Sequence, residues 1–179
     1  MLSVEFAILD FIRNNLTSPI MDKIMVFITT LGNAGAIWIV LTLLMLCSKK
    51  YRRTGIMLGA GLVVCLIVGN LILKPLIARP RPFLVKEGIR LIINAPKDFS
   101  FPSGHTLSSV ICAVILFLRH RNMGIYALIL AVVIAFSRLY LYVHFPSDVL
   151  FGAIIGVIIA FACVKTVNYF FEKYSKHTN

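Results

Sequence analysis

With 179 residues, 59% of them hydrophobic, and a mean hydropathy of +0.92, the chain lies far outside the range of soluble globular domains and reads as an integral membrane protein, residues 1–179 forming one domain. Its net charge of +11 comes in short clusters between apolar runs rather than along one face, which argues for anchoring at the membrane edge and against nucleic acid as a partner. Cys47, Cys65, Cys112 and Cys163 each fall within an apolar run, with no paired spacing and no neighbouring histidine, so the sequence calls for no metal and no cofactor, and the thiols are expected as small core residues.

Residues 1 to 23 mix Phe6, Ile8, Leu9, Phe11 and Ile12 with Glu5, Asp10 and Arg13. That is too polar to span and lacks the basic start and cleavage site of a signal peptide, so an N-terminal interfacial helix is expected, interrupted by Asn14-Asn15 and Pro19. The first apolar run, Ile24 to Cys47, is long enough to cross a hydrocarbon core of about 30 Å, with Gly32-Asn33 as a place to bend. Lys49, Lys50, Arg52 and Arg53 end it. The second run, Thr54 to Leu73, is expected to stop at Lys74, because Pro75, Pro80 and Pro82 oppose a continued helix.

Residues 83 to 101 intersperse Phe83, Leu84, Val85, Ile89, Leu91, Ile92 and Ile93 with Lys86, Glu87 and Arg90, a mixture suited to lying at the interface as a lip. A third run follows Pro102-Ser103-Gly104-His105 and ends at Arg119-His120-Arg121, and a fourth occupies Met123 to about Tyr142. The fifth opens at Pro146, a residue favoured in the first turn of a helix, and continues to about Val164 before Lys165 and a polar tail. The expected fold class is all-α: an integral membrane helical bundle of five transmembrane helices, or six if the N-terminal helix inserts. With five, the basic clusters at 49–53 and 119–121, together with Lys173 and Lys176, share one side, which the positive-inside tendency makes cytoplasmic. Lys and Arg divide evenly between the two sides, so the orientation rests on Lys74, Arg81 and Arg138 having another use.

That use follows from topology. The end of the second helix, the start of the third, the end of the fourth and the start of the fifth meet on one face. They bring together Lys74 to Pro82, Phe101 to His105, and Ser137 to Asp148. Ionisable groups at bilayer depth cost several kcal/mol unless paired or hydrated, so an Arg, a His and an Asp gathered at one membrane edge mark a functional site. Arginine offers a planar fork matched to phosphate oxygens and lysine a point charge, which suits Lys74, Arg81 and Arg138 to a tetrahedral dianion. The helix opening at Ser103-Gly104 adds backbone N–H groups and its positive end. His144 and Asp148 stand four apart across a helix start, so the carboxylate can hold one ring nitrogen and leave the other to attack. His105, on the opposing segment, is placed to give a proton to a departing oxygen and later to activate water.

Lys74-x6-Arg81-Pro82, Pro102-Ser103-Gly104-His105 and Ser137-Arg138-x5-His144-x3-Asp148 together resemble the three-part motif of the type 2 phosphatidic acid phosphatase family, with no departure at any motif position. The resemblance covers roughly residues 70 to 150 and implies a metal-independent helical membrane phosphatase acting on lipid phosphates or diphosphates through a phosphohistidine. It gives phosphate binding to Lys74, Arg81, Ser103, Gly104 and Arg138, acid and base work to His105, attack to His144 and orientation of that ring to Asp148. Polyprenyl (undecaprenyl) diphosphate, phosphatidylglycerophosphate and phosphatidic acid all remain open as substrates, entering from the bilayer of a prokaryotic inner membrane at an outward-facing site.

Singly, Lys74 reads as a snorkelling lysine and Arg138 as an anchor; their family order on one face overturns that. Arg79 lies outside the motif and is expected as a secondary phosphate or headgroup contact. His120 and His177 fall in basic loops on the other side, and Trp38, Tyr140 and Tyr142 are expected as packing or interface aromatics. The alternative is a non-enzymatic lipid-phosphate carrier or scaffold retaining the anion site. A pure binding site has no use for a nucleophile and its orienter, which favours the enzyme. No obligate protein partner is called for.

Overall fold

The computed structural model describes residues 2–175, and every regular element among them is a helix. Lys176 and His177, assigned by sequence to the basic tail and loops, lie outside the described residues. Helix α1 (Leu2–Leu16) buries Glu5, Leu9 and Ile12, spaced four and three apart, and leaves Leu2, Val4, Ile8 and Phe11 exposed. One face is packed and the other apolar and open, as a helix lying along an interface presents itself.

Helix α2 (Pro19–Leu31) starts at Pro19 rather than at Ile24. Ser18 caps it, its Oγ accepting from the Met21 N–H at 3.2 Å, and Pro19 fills the first turn, where its missing N–H costs nothing. The polar Asp22, which masks this start in the sequence, is met by the Tyr140 hydroxyl, which donates to its Oδ1 at 2.6 Å. A short turn at Asn33–Gly35, with Ala34 and Gly35 left-handed at φ 50 and 72, separates α2 from α3 (Ala36–Cys47), and the pair is bent by 44°. The bend falls where Gly32-Asn33 announced it.

Helix α4 (Arg52–Val64) passes through a π-helical stretch, Cys65–Leu73, into α5 (Lys74–Ile77), so the second span runs through Lys74 instead of ending there. Pro75 lacks an N–H, and its ring would strike the carbonyl four residues back in a regular α-helix; the wider π turn just before it relieves both demands. After α6 (Pro82–Val85) the chain runs without helix to α7 (Gly104–Arg119), followed by α8 (Arg121–Tyr140) and α9 (Pro146–Ser175).

Helix α7 is the axis of the bundle. Leu107, Ile111, Cys112 and Ile115 are fully buried against α4, α8 and α9. Apolar helices gain little from hiding from lipid, so close packing on small residues holds them. A Cβ on Gly61 would stand 2.6 Å from Ile111 Cγ2, and one on Gly124 2.1 Å from the Phe117 backbone. Trp38 is buried in this core and donates from Nε1 to Ser109 Oγ at 2.9 Å. Cys65, Cys112 and Cys163 are buried as expected, whereas Cys47 is exposed, because the last turn of α3 leaves that face uncovered.

Arg52–Val85, Arg121–Tyr140 and Pro146–Lys173 are long and apolar enough to cross a membrane, and the bent pair α2–α3 makes a fourth span if taken as one. Helix α7 is apolar but has 16 residues, about 24 Å at the usual rise per residue. At the end remote from the site, Thr54 Oγ1 and His120 Nε2 are 2.9 Å apart and Arg53 donates to Asn168 Oδ1 at 2.8 Å.

Candidate active site

Helix α5, the start of α7, the end of α8 and the α8–α9 connection converge on a cavity of about 1180 Å³, lined among others by Lys74, Arg81, Gly104, His105, Arg138 and His144. Leu91, Ile92 and Ile93 of the expected lip line it too.

His144 is aimed by a tight connection. Val143 N–H donates to Arg138 O at 3.2 Å, and Tyr142 takes a left-handed conformation (φ 60) uncommon for a bulky residue. Its hydroxyl donates to Asp10 Oδ1 of α1 at 2.8 Å, and its ring stacks on Phe6, which fixes that turn from outside. His144 is 1% exposed. Its Nε2 lies 3.2 Å from Arg81 Nη1, and because a guanidinium has only donors, this nitrogen accepts and carries the lone pair. The proton then sits on Nδ1, 3.7 Å from Asp148 Oδ2 and 3.5 Å from Ser100 Oγ. Burial pushes the imidazole below its ordinary pKa; the Asp148 carboxylate opposes this, and Arg81 and Arg138 add to it, so the ring is held neutral.

Asp148 is fully buried and held by three donors. Oδ2 accepts from Ser100 Oγ and from the Phe145 N–H at 2.8 Å, and Oδ1 accepts from Arg79 Nη1 at 2.6 Å. Arg79 also donates to Ser147 Oγ and to Glu5 Oε2, each at 2.6 Å, and lies 4.0 Å above the Phe145 ring. Its guanidinium is therefore spent behind Asp148, away from the cavity where a secondary phosphate contact was expected.

The three expected phosphate cations line the cavity together. Arg81 is 2% exposed and donates to the Asp98 and Val143 carbonyls at 2.8 and 2.7 Å and to Asp98 Oδ1 at 2.6 Å. Lys74 pairs with the other oxygen of Asp98. Burial alone would raise the Asp98 carboxyl, but the hydrogen bond from Lys74 and the charges of Arg81 and Lys74 outweigh it and hold it down at about 2. Arg138 is 3% exposed and donates from Nη1 to Thr29 Oγ1, while its buried Nε–H finds no partner among the described residues.

Ser103 caps α7, its Oγ accepting from the Thr106 N–H at 3.4 Å and from Thr106 Oγ1 at 2.9 Å, and its own N–H donates to Asp148 O at 3.1 Å. It thus ties the start of α7 to the start of α9. Gly104 faces the cations: a Cβ there would lie 3.9 Å from Lys74 Nζ. His105 follows in the first turn, its Nε2 3.0 Å from Asn33 Oδ1.

Sequence reasoning did not single out Asp98, Ser100, Glu5, Thr29 or Asn33 as members of this site. A signal existed for Asp98, the only acidic residue between Glu87 and Asp148, standing five residues before Ser103 among the motif cations. Glu5, Thr29 and Asn33 lie 72 or more residues from their partners Arg79, Arg138 and His105 and carried none.

A helical bundle with paired histidines, a buried carboxylate and three converging cations defines a membrane phosphate-handling protein, and the comparisons with known proteins agree. The sequence profile of the PAP2 superfamily matches residues 53–172, and the chain belongs to that superfamily. It is 36% identical over 146 residues to the undecaprenyl-diphosphatase of Sulfolobus acidocaldarius, covering 81% of this chain and 70% of that one. Two crystal structures are similar: LpxE of Aquifex aeolicus, with a TM-score of 0.72, 26% identity and coverage of 89% of this chain and 94% of that one, and the PAP2-type phosphatidylglycerolphosphate phosphatase of Bacillus subtilis, with 0.71, 27%, 96% and 86%. With its apolar helices, the chain is an integral membrane protein of this lipid phosphatase family.

Proposed function

We propose that the protein hydrolyses the terminal phosphate of a lipid phosphate or diphosphate through a phosphohistidine on His144. The observation that carries this reading is the state of the His144 ring: Nε2 bears a lone pair beside Arg81, and Nδ1 faces a carboxylate fixed by Arg79, Ser100 and the Phe145 N–H. Lys74, Arg81 and Arg138, with the first-turn N–H groups of α7, hold the phosphate oxygens and offset the charge that grows on them. Nε2 attacks phosphorus, the bond to the leaving oxygen breaks, and His105 gives that oxygen its proton. Water then attacks the phosphohistidine and loses a proton to His105, the P–N bond breaks with its electron pair returning to Nε2, and inorganic phosphate leaves. The proton stays on Nδ1 throughout, and the ionised Asp148 facing it offsets the positive charge the ring acquires.

Helix α7 serves as a span too, bringing the count to five, short because it is enclosed by other helices and begins at the depth of the site. The site then opens to the outer face of a prokaryotic inner membrane, opposite the basic clusters at 49–53 and 119–121. The substrate slides in from the bilayer, its tail in the apolar part of the cavity that Leu62, Val63 and Leu66 line. Polyprenyl diphosphate stands slightly ahead of phosphatidylglycerophosphate and phosphatidic acid. The cradle reads only the terminal phosphate, and an outward-facing site suits a carrier lipid whose spent diphosphate is left on the outer leaflet. The test is kcat/KM for undecaprenyl diphosphate, phosphatidylglycerophosphate and phosphatidic acid in matched micelles, in wild type and in a variant with Ile89, Leu91 and Ile92 changed to Ser. The reading expects the diphosphate to lead and the variant to alter the ranking; a water-soluble sugar phosphate as best substrate would overturn it.

A further inference from the structure

We infer that Asn33 is a positioning residue for His105: the break in the first span lies at the depth of the site and presents a carboxamide acceptor to the ring nitrogen that the reaction leaves unused. The inference rests on the phosphatase reading above and adds a group from outside residues 53–172, the segment that the superfamily profile matches.

Three observations converge on the break. Asn33 Oδ1 is 3.0 Å from His105 Nε2, across 72 residues of sequence. The backbone beside it touches the same ring, since a Cβ on Gly32 would stand 2.6 Å from His105 Cδ2, closer than a side-chain carbon tolerates. Left-handed Ala34 and Gly35 keep the chain turned at this point, a conformation unusual for alanine that persists only where the surroundings impose it. One turn earlier on α2, Thr29 accepts from Arg138, so the bent span brings two polar groups to the site.

The chemistry follows from the acceptor. With Nε2–H donated to Asn33, the other nitrogen, Nδ1, is left to exchange the proton with the leaving oxygen and then with water. The two histidines are thereby oriented by different means. Asp148, a carboxylate, offsets the charge that His144 gains when it attacks, whereas a neutral carboxamide fixes His105 without binding its proton more tightly, as an acid that must release a proton requires. Lys74, Arg138 and His144 line the same cavity as this ring, and the Thr29 backbone carbonyl is a further acceptor beside it.

The test compares purified wild type with Asn33→Ala, and with Asn33→Leu, which keeps the shape and lacks the acceptor. The substrates are phosphatidic acid, whose alkoxide must be protonated as it leaves, and p-nitrophenyl phosphate, whose leaving group needs no proton. Either variant should lose about 10- to 100-fold in kcat/KM on phosphatidic acid through kcat, with KM little changed, and less than about threefold on p-nitrophenyl phosphate. Asn33→Asp, which restores an acceptor but binds the His105 proton more tightly, should recover only part of the loss of Asn33→Ala on phosphatidic acid, and adding Asn33→Ala to His105→Ala should cost nothing further. Equal losses on both substrates, or losses that add to those of His105→Ala, overturn the inference while the phosphatase reading stands. Wild type inactive on both substrates overturns that reading and this inference with it.

Discussion

Asp98 Oδ1 accepts from Arg81 Nη2 at 2.6 Å, which sets a carboxylate of this chain against two of the cations assigned to the substrate phosphate, since its other oxygen pairs with Lys74. An incoming phosphate competes with Asp98 for those donors. Replacing it by Asn should tighten inhibition by inorganic phosphate or vanadate roughly three- to tenfold, a modest effect because half the Asp98 side chain is exposed and its pairs are screened. With its carboxyl held down at about 2, below the ordinary 3.8, Asp98 stays ionised above about pH 4, so its competition adds no inflection to the inhibition constant at higher pH. The stability it contributes follows the same sign: complete above the unfolded value and lost as pH falls toward the folded one. Inhibition unchanged or weakened in Asp98→Asn would show that the carboxylate does not occupy the phosphate position.

Arg79 decides between two roles. Its bonds to Asp148, Ser147 and Glu5 make it a positioning group for the orienting carboxylate. Arg79→Ala should lower kcat about 10- to 100-fold with KM within about twofold, since the defect lies in His144 and not in lipid binding. A raised KM with unchanged kcat would restore it as a secondary phosphate contact.

Much of this architecture was legible because membrane helices announce themselves by length and because the site's cations and histidines are expensive at bilayer depth. The bend at Gly32-Asn33 and the convergence of the three motif segments were readable on those grounds. What escaped has physical causes. The start of α2 hid behind Asp22, whose cost is met by Tyr140 from 118 residues away. The passage of the second helix through Pro75 needed a π turn that composition does not encode. Glu5 looked like the polar face of an interfacial helix, yet it is 8% exposed because Arg79 and Ser147 take its charge.

The orientation of the bundle is tested by labelling. In a background with the exposed Cys47 changed to Ser, Lys97→Cys should react with a membrane-impermeant thiol reagent added to intact cells and Lys50→Cys should not, both positions being exposed. The reverse pattern would place the site on the cytoplasmic side.

The most direct test of the central claim is to trap the phosphoenzyme. Brief reaction with a lipid phosphate labelled in its terminal phosphate, quenched in alkaline denaturant that preserves phosphohistidine, should leave label on the peptide containing His144. His144→Gln should carry none and should lose turnover by about 10⁴-fold or more while still binding the lipid phosphate. Label on His105 instead of His144, or near-normal turnover in His144→Gln, would contradict the account.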